Sequence, residues 1–157
     1  MVEKVYRFNW VARLFFFSFI PACYLLYILT MAYGYHWKPL FFKWFGIPVG
    51  IYNFIYSLRV RIIINDKGIE WRSGVLEKTK QFDWDEIDFV IDERKLFFAR
   101  WYDVLPKDSA REGLMYWIRI STSYVNYRDL LKEIALHAKP HTRIFPGVLK
   151  AAGLPPK

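Results

Sequence analysis

From Leu14 to Tyr35 the chain runs for 22 residues without a charge, LFFFSFIPACYLLYILTMAYGY. At ~1.5 Å of rise per residue, a helix of that length crosses a hydrocarbon core of ~30 Å. This stretch limits the possible folds more than any other, because its apolar surface needs a bilayer or a large protein body to cover it. A chain of 157 residues does not have that body to spare. Pro21 interrupts the stretch, but a bilayer-spanning helix tolerates proline when neighbouring groups re-satisfy the freed carbonyl.

A second apolar block follows, Leu40 to Leu58, LFFKWFGIPVGIYNFIYSL. It is weaker, since it contains Lys43, Gly46, Pro48, Gly50 and Asn53. Between the blocks, Gly34 to Pro39 supplies a turn. Tyr33, Tyr35, Trp37 and Trp44 cluster there, as an aromatic belt at a membrane–water interface would. The pattern predicts a transmembrane helical hairpin over 14–58, with helices at about 14–35 and 40–58. Lys4, Arg7 and Arg13 precede it, Arg59 and Arg61 follow it, and Lys38 and Lys43 lie at the turn. That bias places both termini in the cytoplasm and makes these cations, with Trp37 and Trp44, the expected membrane-interface residues. The competing reading is a signal peptide, because Ile20-Pro21-Ala22-Cys23 loosely matches a lipoprotein cleavage box. Against it, the residues after Cys23 stay strongly apolar where a mature lipoprotein begins with a polar linker.

The net charge of +8 does not signal nucleic acid. From Arg59 to Lys139 there are 15 basic and 14 acidic residues, so the excess belongs to the flanks of the apolar blocks and to Arg143, Lys150 and Lys157. A nucleic-acid domain concentrates cations on its folded surface instead. The single cysteine, Cys23, excludes an intrachain disulfide.

Beyond Arg59 the period changes to two. Ile62 and Ile64 share a face, as do Ile69 and Trp71, around Asp66-Lys67-Gly68, a tight-turn sequence in which Gly68 is free to take positive φ. Glu77–Phe82 reads as a third strand, Asp83 with Glu86 as a capped turn, and Ile87, Phe89 and Ile91 as a fourth strand. Leu96–Val104 reads as extended, Pro106–Gly113 as a loop, and Leu114, Tyr116, Ile118 and Ile120 as a last strand. The period then becomes helical. Asn126 is the expected N-cap, and Tyr127, Leu130, Leu131, Ile134 and Ala138 form one face before Pro140 ends the helix.

The run IIINDKGIEWRSGVLEKTKQFDWDEIDFV resembles the start of bacterial pleckstrin-homology-like (PH-like) domains of small membrane proteins, through Gly68, Ile69, Trp71, Arg72, Gly74, Trp84 and Ile87. The closing NYRDLLKEIALHA resembles that family's C-terminal helix. The resemblance covers about Arg59 to Lys139 and implies a seven-stranded antiparallel β-sandwich or barrel with a capping helix, of which the periodicity supplies about six strands. The expected organisation is therefore a basic cytoplasmic N-terminus (1–13), the hairpin (14–58), a PH-like domain (59–139) and a tail (140–157). Asn65-Asp66-Lys67-Gly68 is short and partly acidic, which removes the basic loop that inositol-phosphate-binding relatives use.

No catalytic constellation is present. His137 and His141 have the spacing of a helical metal pair, but Pro140 breaks the helix between them. Asp83, Asp85, Glu86, Asp88, Asp92 and Glu93 form an acidic run that reads as a cap plus solvated strand positions. The chain is expected to be no enzyme and to need no cofactor. KLFFARWYDV carries aromatics on both strand faces. Phe98, Arg100, Trp101 and Tyr102, with Arg143 and Phe145 of the tail, are the expected protein contacts, since Trp, Tyr and Arg anchor interfaces. If this aromatic strand is core, Phe97 and Trp101 are its expected inward residues. The tail by itself lacks core capacity and reads as disordered; if something holds it, Ile144, Phe145, Val148 and Leu149 are the residues to pack on a partner. The expected function is an accessory or scaffold subunit of a larger inner-membrane complex, with membrane lipids and other membrane subunits as partners. The alternative is a membrane-anchored lipid- or peptide-binding module.

Overall fold

A computed structural model describes residues 3–33, 42–73, 79–96, 99–107 and 117–155. It is an α+β protein with one long apolar N-terminal helix, two four-stranded sheets and C-terminal helices. Strand β1 (Lys4–Arg7) leads into helix α1 (Trp10–Ala32). A π-helical turn (Phe42–Gly46) opens helix α2 (Ile47–Arg59). Strands β2 (Arg61–Ile64), β3 (Gly68–Arg72) and β4 (Thr79–Asp83) complete the first sheet, in the order β1-β2-β3-β4, all antiparallel. Strands β5 (Ile87–Leu96), β6 (Ala99–Pro106) and β7 (Ile118–Ser121) follow, then helix α3 (Tyr127–His137), strand β8 (Arg143–Ile144) and helix α4 (Pro146–Ala152). The second sheet has the order β7-β6-β5-β8, with β8 parallel to β5.

The N-terminus departs from expectation. Residues 4–7 are the edge strand of the first sheet, with Tyr6 opposite Ile62 and Arg7 opposite Arg61. The helical segment is thus inserted between two neighbouring strands. Both junctions are short. Asn9 caps α1 by accepting the Ala12 N–H at 2.8 Å, and Val60 ends α2 by donating its N–H to Tyr56. The sheet then extends across to the second one. Phe8 bridges Tyr124, and the Val125 N–H donates to the Arg7 carbonyl at 2.8 Å.

The core lies between the sheets and under α3. Ile62, Ile64 and Ile69 from the first sheet meet Val90, Tyr102, Val104, Ile118 and Ile120 from the second, closed by Leu130, Leu131 and Ile134 of α3. The alternation read from Val60 onward accounts for these inward positions. Three details differ. Gly68 has no positive φ; instead, a Cβ there would overlap the Phe82 carbonyl oxygen across the β3–β4 ladder. Asn65 organises this turn by accepting the Lys67 and Gly68 N–H groups on Oδ1 at 2.9 and 3.0 Å. Asn126 stands at the start of α3 in the left-handed region, φ 54°, and its side chain makes no cap bond.

The third difference is the tail. It packs on its own domain, with no partner needed to bury it. The Phe145 N–H donates to the Val90 carbonyl at 3.0 Å, and Thr142 Oγ1 donates to the Ile87 carbonyl at 3.0 Å. Val148 and Leu149 of α4 are fully or nearly fully buried, Val148 within the core cluster and Leu149 beside Ala135 of α3. Strand pairing draws the tail in and α4 covers it; each supplies what a proline-rich segment lacks alone.

Candidate functional site

The surface that most needs explanation is the outside of α1. Its 23 residues span about 35 Å at 1.5 Å per residue, with mean hydropathy 2.0 over the most apolar window. By length and composition this helix can cross a membrane. Only Cys23 on it is buried. Trp10, Phe15, Tyr24, Leu25 and Met31 are each more than half exposed, a density of bare apolar surface that water does not tolerate on a stable monomer. Val49, Ile51, Tyr52, Ile55 and Leu58 of α2 are exposed as well.

The serine and threonine hydroxyls on these helices are satisfied internally. Ser18 donates to the Phe15 carbonyl at 2.8 Å, Thr30 to Leu26 at 2.9 Å, and Ser57 to Phe54 at 2.7 Å. Such back-bonding removes the need for solvent partners. α1 and α2 pack together at Gly50, where an added Cβ would lie 2.9 Å from Ile20 Cγ1. Phe17 and Phe54 meet edge to face at 5.2 Å nearby.

Phe8 joins the helices to the sheets. Its ring lies 4.6 Å from Tyr124, 6.0 Å from Phe16 of α1 and 6.4 Å from Tyr56 of α2. This aromatic joint escaped the sequence reading, because Phe8 sits in a segment that looks like a basic flank. The signal was the alternation of Tyr6 and Phe8 with Val5 and Arg7.

The expected interface residues fall in different places. Lys4 Nζ pairs with Glu133 of α3 at 2.8 Å, which ties β1 to the core; the carboxylate also holds the ammonium pKa above its usual value. Arg7 is exposed on β1, Arg59 is exposed at the end of α2, and Arg61 is half-buried on β2. Arg13 lies in the first turn and a half of α1, and its Nε is shielded from solvent with no hydrogen-bond partner. Trp44 is exposed in the π-helical turn. Trp37 and Lys38 lie outside the described residues, as does the side chain of Lys43.

The expected protein contacts also divide. Phe98 lies outside the described residues. Tyr102 is a correction: it is 1% exposed and belongs to the core, so it presents no contact surface. Its neighbour Trp101 therefore faces outward, the reverse of the expected parity. There Arg119 lies over the Trp101 ring at 4.5 Å and the Trp117 ring at 5.5 Å, while its guanidinium forks onto the buried Asp103 carboxylate at 2.8 Å. Arg100 is exposed beside Trp101, Arg143 stacks over Phe89 at 5.5 Å, and Phe145 is half-exposed at the start of α4.

The acidic run is divided between a turn and β5. Asp83 and Glu86 close the turn, with the Asp83 N–H donating to Glu86 Oε2 at 2.9 Å, and Asp85 faces Lys139 at 3.6 Å. Among the described residues, no three His, Cys, Asp or Glu side chains come together as a metal site. No family model, curated protein or solved structure matches this chain.

Proposed function

We propose that the protein is a non-catalytic, membrane-anchored scaffold or accessory subunit. Its two helices form a transmembrane hairpin, its β unit is a PH-like domain, and its partners are other subunits of a bacterial inner-membrane complex. The observation that carries this reading is the pairing of β1 with β2 on either side of an exposed apolar helix. A chain whose first helix crosses a bilayer can make that pairing only if it crosses back before Arg61, because both strands belong to one sheet. The return through α2, packed on α1 at Gly50, supports two crossings and one side for both termini. The positive flanks favour the cytoplasmic side. Signal cleavage at Cys23 would remove β1, with Tyr6 and Phe8 of the core, so a retained anchor fits better.

The PH-like reading is supported by seven antiparallel strands in groups of four and three among the described residues, with α3 closing the core. β1 supplies the seventh strand. The subunit reading rests on the outward aromatic face around Trp101 and Arg119, the kind of side chains that anchor protein contacts. The test is extraction of the tagged protein from its host in mild detergent, followed by the mass of the intact complex. A stoichiometric protein partner, released by Trp101→Ala in a chain that still folds, is the expected result. A lone chain or homo-oligomer carrying only lipid would overturn the subunit reading in favour of a lipid-binding module.

A further inference from the structure

The first sheet carries a row of arginines that the sequence does not reveal. Arg7 of β1 pairs with Arg61 of β2, and Arg61 pairs with Arg72 of β3. Paired residues point to one face, and neighbouring strands lie ~4.8 Å apart, so three guanidinium stems stand within about 10 Å. Like charges placed directly opposite destabilise a sheet unless something of opposite charge joins them. Glu70 takes up Arg72 in an ion pair. Among the described residues, Arg7 and Arg61 form no ion pair.

The position of the row shows what can neutralise it. Arg7 lies two residues before Asn9, the cap of α1, and Arg61 follows Val60, the cap of α2. Two residues of strand rise about 7 Å. The headgroup layer on each side of a bilayer is about 6 Å deep, by the difference between total and hydrocarbon thickness. Trp10, exposed in the first turn of α1, is the kind of aromatic side chain that sits at the lipid–water boundary, with Arg13 one turn on. The arginine row therefore falls at the depth of lipid phosphates. We propose that Arg7 and Arg61, beside the Glu70-paired Arg72, form a binding surface for anionic phospholipid headgroups of the bilayer that holds the helices. This inference rests on the membrane reading above.

The test uses the full chain reconstituted into nanodiscs of phosphatidylcholine and phosphatidylglycerol in equal parts, with retained lipids counted by native mass spectrometry. The native protein should retain phosphatidylglycerol over phosphatidylcholine. R7Q/R61Q should lower that ratio by about fivefold for each arginine lost. R128Q/R143Q, which removes the same charge elsewhere, should leave it unchanged. R7K/R61K keeps the charge and should keep most of the preference if the glutamine variant folds poorly. Equal retention of both lipids by the native protein, or equal loss in the two glutamine variants, overturns the headgroup surface. Flotation with vesicles of pure phosphatidylcholine separates this failure from that of the anchor. A chain that floats there without lipid preference keeps its anchor and lacks the surface. A chain that stays in solution without detergent has neither.

Discussion

The Tyr6 hydroxyl donates a 2.7 Å hydrogen bond to the Asp129 carboxylate, joining residues 123 positions apart in sequence. One side of this bond precedes both apolar helices, and the other lies on α3 of the β unit. Lys4 and Glu133 repeat the connection one turn along. The first strand is thus held to the last part of the domain by polar bonds as well as by its ladder.

Tyrosine chemistry at this joint predicts alkaline sensitivity. Burial, and then the Asp129 bond, push the Tyr6 pKa up from the ordinary value of 10.0, and burial raises Tyr124 strongly as well. The folded state keeps protons that the unfolded chain loses above pH 10, so stability is full below that value and falls as pH rises beyond it. Circular dichroism with tyrosinate absorbance should show unfolding and ionisation together above about pH 10. Tyr6→Phe should cost about 1 kcal/mol at neutral pH and weaken the alkaline transition.

Gly50 sets the approach of the two helices. Gly50→Leu would drive a branched side chain into Ile20 and part α1 from α2. The expected outcome is faster proteolysis in the segment between the helices, with the β unit still folded, read by limited digestion in detergent.

Arg119 neutralises a buried carboxylate. Asp103 is 2% exposed and sits under the Arg119 fork. Arg119→Leu leaves that charge unpaired and should destabilise the domain by about 3 kcal/mol in urea unfolding. Joint replacement, Arg119→Leu with Asp103→Leu, should recover much of the loss.

The tail is predicted to be structural. Leu149→Ala in α4 should cost about 3 kcal/mol, since the side chain is 3% exposed. Removal of residues 143–157 should lower the thermal midpoint further, by taking β8 from the edge of β5. An unchanged midpoint would mean that the tail adds nothing to the fold.

Local periodicity in the sequence is legible where one face of an element is mostly apolar and the other is not. Ile62, Ile64 and Ile69 fall on the inward face and are buried as the period of two implies, although Ile63, on the opposite face, is buried as well. Leu130, Leu131 and Ile134 likewise mark the inner face of α3. What stayed hidden depends on distant partners. Lys4-Val5-Tyr6-Arg7 is too short and too basic to announce a strand, and its partner lies beyond two helices. The aromatic strand β6 has large side chains on both faces, so parity alone does not choose between Trp101 and Tyr102. The register shift in β5 between Glu93 and Leu96 removes the remaining local cue. Gly68 was recognisable as a turn glycine, but the reason for it, the Phe82 carbonyl on another strand, was not. The arginine row is legible only once the strand registers are known.

The insertion of two helices between β1 and β2 also orders events during synthesis. β1 leaves the ribosome first, yet its partner strand emerges only after both helices have been made. Until then Tyr6 and Phe8 wait without a core. On the proposed transmembrane reading, a helix pair threaded an odd number of times would strand β1 across the bilayer from its sheet and leave the β2 edge bare. Closure of the first sheet would then be a built-in proofreading step, completed only on chains whose helices have returned to the side they left.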